Sequence, residues 1–327
     1  MREFDIYGMG AALVDTELEV SDQDLAAIGV EKGLMTLVDE TRQAELLAAL
    51  EHHMVQSKRA SGGSAGNTII AASYFGSKTF FSGRVADDEN GHFYLNDMEL
   101  AGVKTVAVST EPGVTGKCLI LITPDAERSM NTFLGASEGF STSELDFDAI
   151  ANSSFLYIES YLVTSATGKA AAIAARQHAQ SHGTKVALSF SDPGIVQHFK
   201  AGIDDIIGDR IELVFCNKDE ALSFADTDNI EQAIESIHQI ADEVVVTLGA
   251  EGALVSTKEQ VLQISGTKVD AVDTNGAGDM FAGAYLHGVA SGLSRQACGA
   301  LASKAAAKVV SQFGPRLRPE QYQSLIS

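Results

Sequence analysis

Along most of the chain, short apolar runs alternate with stretches of helical period, the pattern of a mostly parallel sheet covered by helices on both faces. Apolar runs at 4–7, 79–82, 155–158, 185–188, 213–216, 243–248 and 253–256 are too short for helices and predict strands. Helical periods at 41–54, 165–181, 230–240, 277–291 and 294–312 lie between or after them. In the last, Ala300, Ala302, Ala305 and Ala306 leave so little side chain in one region that the helix can approach a neighbour closely. The pattern reads as one continuous α/β domain.

Two stretches, 15–38 and 103–135, interrupt the alternation with β-prone runs such as 118–123 and 129–134, parted by the turn-forming Pro124-Asp125. Neither shows the helix a parallel crossover needs, so the two are expected to pair as a small antiparallel sheet beside the main fold, placed to act as a lid.

Composition narrows the function classes. A length of 327 residues suits one large domain, and 45% hydrophobic residues with only 5 prolines argue against disorder. The formal charge of −21 disfavours nucleic-acid and membrane-surface partners, which call for clustered Lys and Arg. Cys118, Cys216 and Cys298 are widely spaced and lack a C-x-x-C pair, so reduced thiols are expected rather than a disulfide frame or a zinc site. Neither a signal-peptide core nor a run of about 20 apolar residues is present, and a soluble cytoplasmic protein is expected.

The segment richest in chemistry is Val272-Asp-Thr-Asn-Gly-Ala-Gly-Asp-Met-Phe-Ala-Gly283, where glycines open a strongly helical stretch. A helix starting near Gly276 presents unpaired N–H groups and the positive end of its dipole, which suits an anion such as phosphate. Asp279 falls in the first turn. Alone it would serve as ordinary N-terminal charge stabilisation, but beside a glycine cradle for phosphate it gains a second use, taking the proton of an attacking hydroxyl. Phosphoryl transfer needs positioning more than base strength, so an ordinary carboxylate pKa would suffice. Neither a Walker A motif nor the H-R-D and D-F-G pair of protein kinases occurs.

Asp273-Thr-Asn-Gly-Ala-Gly-Asp279, with Gly62-Gly-Ser-Ala-Gly-Asn67 and Asn217-Lys-Asp-Glu220, resembles the ribokinase-like (PfkB) carbohydrate and nucleoside kinases, above all the adenosine kinase branch. The three motifs fall in the family's order over essentially the whole chain. The resemblance implies a three-layer αβα fold spanning 1–327, with a discontinuous β-rich lid formed by about 15–38 and 103–135. It implies an ATP-dependent kinase that phosphorylates the primary hydroxyl of a ribose-containing molecule, adenosine to AMP in purine salvage, with a sugar kinase of the ribokinase or fructokinase type as the alternative. By resemblance Asp279 is the catalytic base, and Gly276, Ala277 and Gly278 form the anion hole. Asp15, Gly63, Ser64 and Asn67 would grip the ribose, Arg128 would close from the lid, and Glu159 would contact the sugar. Asn217, Thr247, Gly249, Gly252, Asn275 and Ser303 would serve ATP, and Glu220 would hold Mg2+ through water. The resemblance leaves open both a K+ requirement, common in the wider family, and the choice between monomer and homodimer.

Met35, Leu37 and Phe133 are apolar candidates for the lid, and Asp87 and Asp88 read as a loop or helix cap. Gly62-Gly-Ser-Ala-Gly66 also fits G-x-S-x-G, the serine-hydrolase elbow with Ser64 as nucleophile, but the polar residues before it make a poor core strand. Gly8-Met-Gly10 lacks the third glycine of a dinucleotide fingerprint. A non-catalytic nucleoside sensor on the same fold is a further alternative.

Overall fold

Nine strands form the central sheet of the computed structural model, which describes residues 2–52, 58–106 and 112–326. They are β1 (Phe4–Met9), β5 (Thr79–Ser82), β6 (Lys104–Thr105), β9 (Ser153–Glu159), β10 (Lys185–Ser189), β11 (Ile211–Asn217), β12 (Ala241–Thr247), β13 (Gly252–Thr257) and β14 (Val261–Ser265). Their order is β14-β13-β12-β11-β10-β9-β1-β5-β6. All pairs from β6 to β12 are parallel, and β13 and β14 add an antiparallel edge. Each strand expected from an apolar run is present. The short β6 and the half-exposed β14 had no such run to announce them.

Alternation along each strand builds the layers. Phe155, Tyr157 and Phe215 face α3 (Ser64–Tyr74), α4 (Glu89–Leu100), α10 (Ala277–Ala290), α11 (Arg295–Val310) and α12 (Pro319–Ile326). Leu156, Ile158 and Val214 face α5 (Phe147–Ala151), α6 (Ala166–Ser181), α7 (Pro193–Ile207), α8 (Lys218–Ala225) and α9 (Ile230–Ile237). The fold is the ribokinase-like three-layer α/β architecture. Every residue of α10 from Met280 to Gly288 is buried, because glycine and alanine let it press against both neighbours. A Cβ on Gly283 would lie 2.5 Å from the Thr68 carbonyl of α3.

A second sheet has the order β3-β8-β7-β2-β4, with β2 (Leu13–Glu19), β3 (Met35–Leu37), β4 (Lys58–Gly62), β7 (Thr115–Ile122) and β8 (Arg128–Gly135). It differs from the purely antiparallel sheet expected of 15–38 and 103–135, since β2–β7 and β3–β8 are parallel. The first stretch also holds an unexpected helix, α1 (Asp22–Ile28), started by a capping box in which Ser21 and Asp24 satisfy each other's backbone N–H groups. It carries the chain from β2 across the β7–β8 hairpin to β3 on the far side. With α2 (Glu40–Ala49), it covers the outer face of the sheet through Leu25 and Leu46. Strand β4, outside the expected segments, completes the edge, and 107–111 of the expected lid lie outside the described residues. Asp88 caps α4 by accepting from Gly91 N–H, as its reading as a cap requires.

Among the described residues no helix is long and apolar enough to cross a membrane, and all three cysteines are buried and unpaired.

Candidate active site

Strand order reverses between β1 and β9, and open parallel sheets bind ligands at the carboxyl ends of the strands flanking such a point. A cavity of about 320 Å³ lies there, bounded by Ala11 after β1, Glu159 ending β9, Ser191 after β10, Asn217 ending β11 and Thr247 ending β12. Its roof is the inner face of the second sheet. Leu13 and Asp15 come from β2, Cys118 and Ile120 from β7, and Met130, Thr132 and Leu134 from β8. This strict alternation puts Phe133 on the opposite face, while Met35 and Leu37 of β3 do line the cavity.

The start of α10 forms one wall. Gly276 is its N-cap at φ 72°, a left-handed conformation that costs glycine nothing, and a Cβ there would meet the Pro315 backbone oxygen at 2.6 Å. The helix has no side-chain cap, and of its first N–H groups that of Ala277 makes only a long bond, 3.3 Å, to the Thr274 carbonyl. A Cβ on Gly278 would touch no protein atom within 4 Å, so the space it leaves belongs to the cavity. Gly278→Ala is therefore expected to leave the melting temperature within about 2 °C of wild type, a surface-like change of ±0.5 kcal/mol. Turnover should nevertheless fall at least ~10-fold, because the added methyl stands where phosphate would approach the helix; parallel melting curves and initial rates check this.

Asp279 is held by two donors from α3: Ser64 Oγ at 2.6 Å on Oδ1, and Asn67 Nδ2 at 3.3 Å on Oδ2. Burial pushes its carboxyl up to about 6, an effect the Ser64 bond, the Arg128 charge, the Asn67 bond and the Arg316 charge only partly offset. A carboxyl raised in this way would be better matched to proton transfer near neutral pH than the ordinary carboxylate expected from the sequence. Asp15 is 5% exposed, and among the described residues no hydrogen bond holds its carboxylate. Burial, then the nearby Glu17 charge, raise its pKa well above the usual range, with Arg316 opposing and Asp279 adding to the rise. Gly62 makes room for it, since a Cβ there would lie 2.0 Å from Asp15 Cγ.

Glu159 lines the cavity but is engaged elsewhere. Its two oxygens accept from Ala11 N–H and Ala65 N–H, both at 2.7 Å, which ties the turn after β1 to the N-terminus of α3. Burial holds its carboxyl at about 7 despite these bonds. The contact with a sugar expected of Glu159 thus gives way to a bracket under the site. Glu159→Ala should cost about 2–4 kcal/mol by leaving two buried N–H groups unpaired, measured as a shift in denaturant midpoint.

Asn217 caps α8, and its backbone N–H and Nδ2 donate to the two carboxylate oxygens of Glu220, at 2.9 and 2.8 Å. Both residues face the cavity, and burial raises the Glu220 carboxyl to about 7. Among the described residues no group of three or more His, Cys, Asp and Glu side chains could hold a metal ion. The oxygen donors of Asn217 and Glu220 fit a magnesium ion that arrives on phosphates with its own waters, and do not fit a protein-caged ion.

Asn275 lines the cavity while its Nδ2 donates to Glu17 at 3.0 Å, and Arg128 Nη1 donates to the Thr274 carbonyl at 2.8 Å, so β2 and β8 both touch the glycine loop. Gly63, Ala277, Thr247 and Gly249 also line the cavity. Gly252 and Ser303 do not. Gly252 sits at φ 101° where a Cβ would strike the Ile264 carbonyl at 2.0 Å, and Ser303 Oγ donates to the Ser265 carbonyl at 3.0 Å. Their positions answer to packing around β13 and β14.

Ser64 does follow a strand, but β4 is an edge strand of the second sheet and not a core strand, as its polar lead-in led one to expect. Its Oγ donates to a carboxylate and among the described residues no histidine lines the cavity, so the hydrolase elbow lacks its base there. Ser191, at φ 71°, and Arg316 were not legible as site residues. The only hint of Arg316 was a Gly314-Pro315 break after the last long helix, with a basic residue behind it.

The family model for pfkB family carbohydrate kinases matches residues 34–321. The adenosine kinase of Saccharomyces cerevisiae is 28% identical, with 96% of each chain covered. The crystal structure of adenosine kinase from Sinorhizobium meliloti is 32% identical with a TM-score of 0.91, covering 99% of this chain and 100% of that one. A probable sugar kinase protein from Rhizobium etli CFN 42 has the same identity, 32%, and TM-score, 0.91, covering 99% of both chains. Overall likeness therefore does not separate a nucleoside acceptor from a sugar.

Proposed function

Because the chain belongs to the pfkB carbohydrate kinase family and so is an ATP-dependent kinase, we propose that it transfers the γ-phosphoryl group of ATP to the 5′ hydroxyl of a ribonucleoside, adenosine. The observation that carries this reading is the two-sided acceptor end of the cavity. Asp15 offers a buried carboxylate, without a hydrogen-bond partner among the described residues, suited to a vicinal diol, while Met35, Leu37, Ile120, Met130 and Leu134 offer an apolar wall. A nucleoside presents a ribose diol to the first and a flat base to the second. A free sugar carries hydroxyls all round and would have to strip water from them against that wall.

In this reading Ser64 and Asn67 orient the Asp279 carboxylate, whose free lone pairs accept the proton of the 5′ hydroxyl as its oxygen attacks phosphorus. The N–H groups at 276–278 stabilise the charge on the equatorial oxygens of the transferring group. Asn217, Thr247 and Gly249, at the ends of β11 and β12, flank the phosphate path, with Arg128 on the opposite side. A magnesium ion, held by Glu220 through water, would neutralise phosphate oxygens of the nucleotide. The second sheet acts as a lid, and its closure excludes water that would otherwise accept the phosphoryl group. Leu37, 48% exposed, is placed to become covered when base and lid meet.

The test is a coupled ADP-release assay over a panel of nucleosides and free sugars, with and without K+. Adenosine should give the highest kcat/KM. A preference for fructose or ribose over every nucleoside would overturn the assignment of the acceptor.

A further inference from the structure

Arg316 lies on the segment that follows α11, behind the glycine loop. Asp273 Oδ2 accepts from Gly314 N–H at 2.9 Å, and Gly276 packs on Pro315, so this segment and the start of α10 hold each other in place. The guanidinium then makes three separate bonds. Nη1 meets Asp97 Oδ2 of α4 at 2.8 Å, Nη2 donates to Ser61 Oγ of β4 at 2.8 Å, and Nε donates to Asn67 Oδ1 at 3.1 Å. Asp97 also accepts from the Ser61 hydroxyl and, at 3.1 Å, from Ser61 N–H. Two of the three partners that fix the guanidinium, Asp97 and Ser61, have no contact with the cavity, the third, Asn67, lines it, and Arg316 itself does not.

We propose that Arg316 is a positioning residue of the transfer reaction, acting through Asn67 to keep the amide donor aimed at the Asp279 carboxylate. An Asn side chain has a donor end and an acceptor end of nearly the same shape. Arginine carries donors only, so facing Asn67 it can take nothing but Oδ1, and Nδ2 must then point at Asp279. Without that donor the amide is free to turn over, placing an oxygen against the carboxylate and releasing Oδ2 from its fixed direction. Misplacement of a reacting group by about 1 Å can cost on the order of 10²-fold in rate. The Asp97 pair matters here because it removes the guanidinium's own freedom, not because a partly exposed ion pair is strong.

The groups around Asp279 set the pH signature. Arg128 from β8 and Arg316 favour its charged form, whereas Asp15 from β2 and Glu159 from β9 are like charges, and Tyr157 lies close enough for the Asp279 charge to raise its own pKa. Loss of Arg316 takes away one of two favourable charges, so the acid limb of kcat should move to higher pH.

The inference rests on the kinase reading, and the experiment separates the two. Wild type, Arg316→Met, Arg316→Lys and Asp279→Asn are assayed with Mg-ATP and adenosine from pH 5 to 9, with melting curves for each. Arg316→Met should lose about 10- to 100-fold in kcat with KM for ATP within about 3-fold, and its acid limb should rise. Arg316→Lys, which keeps a donor and a charge, should recover most of the rate. A lower melting temperature with wild-type kcat and an unmoved acid limb would reduce Arg316 to a structural strut and overturn the proposal. Should Arg316→Met fail to fold, Asp97→Asn carries the test: a several-fold fall in kcat supports it and wild-type kcat refutes it. An active Asp279→Asn would instead sink the kinase mechanism itself.

Discussion

Asp279→Asn is expected to lower kcat by about 10²- to 10⁴-fold, the range typical of removing a positioned general base. The substitution keeps shape, and an amide oxygen can still accept from Ser64, so the α3–α10 contact and the acceptor cavity should survive. Binding of adenosine and of Mg-ATP, measured by equilibrium titration, should stay within a few-fold of wild type. The separation of rate from affinity is the essential part, because it distinguishes a residue acting on the moving proton from one that shapes the site. A turnover number within about 3-fold of wild type would remove Asp279 from the chemistry.

Asp15→Ala carries the second large effect, and it should fall on the acceptor. Two hydroxyl donors to one carboxylate are worth about 1.5–3 kcal/mol each as charge-assisted bonds, so acceptor KM should rise by 10²-fold or more while KM for ATP changes little. 2′-Deoxyadenosine, lacking one donor, should lose part of the same energy on the wild-type enzyme and much less on the variant. pH gives an independent handle. The Asp15 carboxyl is held well above its usual range by burial, and diol donors favour its charged form, so acceptor affinity should weaken as pH falls through that raised value. An unaltered acceptor KM in Asp15→Ala would show that the diol is held elsewhere.

The strand ends that build the cavity were legible in the chain because buried parallel strands are short apolar runs, and four of the five stop where polar residues begin. The same physics explains the misreadings. No helix was expected within 15–38, yet the Ser21–Asp24 capping box starts one over 22–28 that buries little besides Leu25, and the sheet is mixed because β2 and β3 each lie parallel to the hairpin strand beside them. Glu159 could be recognised as an acid at a strand end. Its engagement with the Ala11 and Ala65 N–H groups, more than fifty residues away on either count, is a property of the assembled fold. Asp279 with its glycines was readable because helix starts are local. Ser64 and Asn67 were expected to grip ribose, and in the structure they hold Asp279 first. Arg316 was hidden because its meaning lies in Asn67, 249 positions earlier.

The central claim is that the start of α10 receives the transferring phosphoryl group while Asp279 takes the proton of the attacking alcohol. It is tested most directly by a crystal structure of the protein with adenosine, Mg2+ and a non-hydrolysable ATP analogue. The 5′ oxygen should lie about 2.6–3.2 Å from an Asp279 carboxylate oxygen, with the terminal phosphate against the N–H groups of 276–278 and the diol on Asp15. A terminal phosphate seated away from that helix start, or a nucleoside whose 5′ hydroxyl points away from Asp279, would contradict the account.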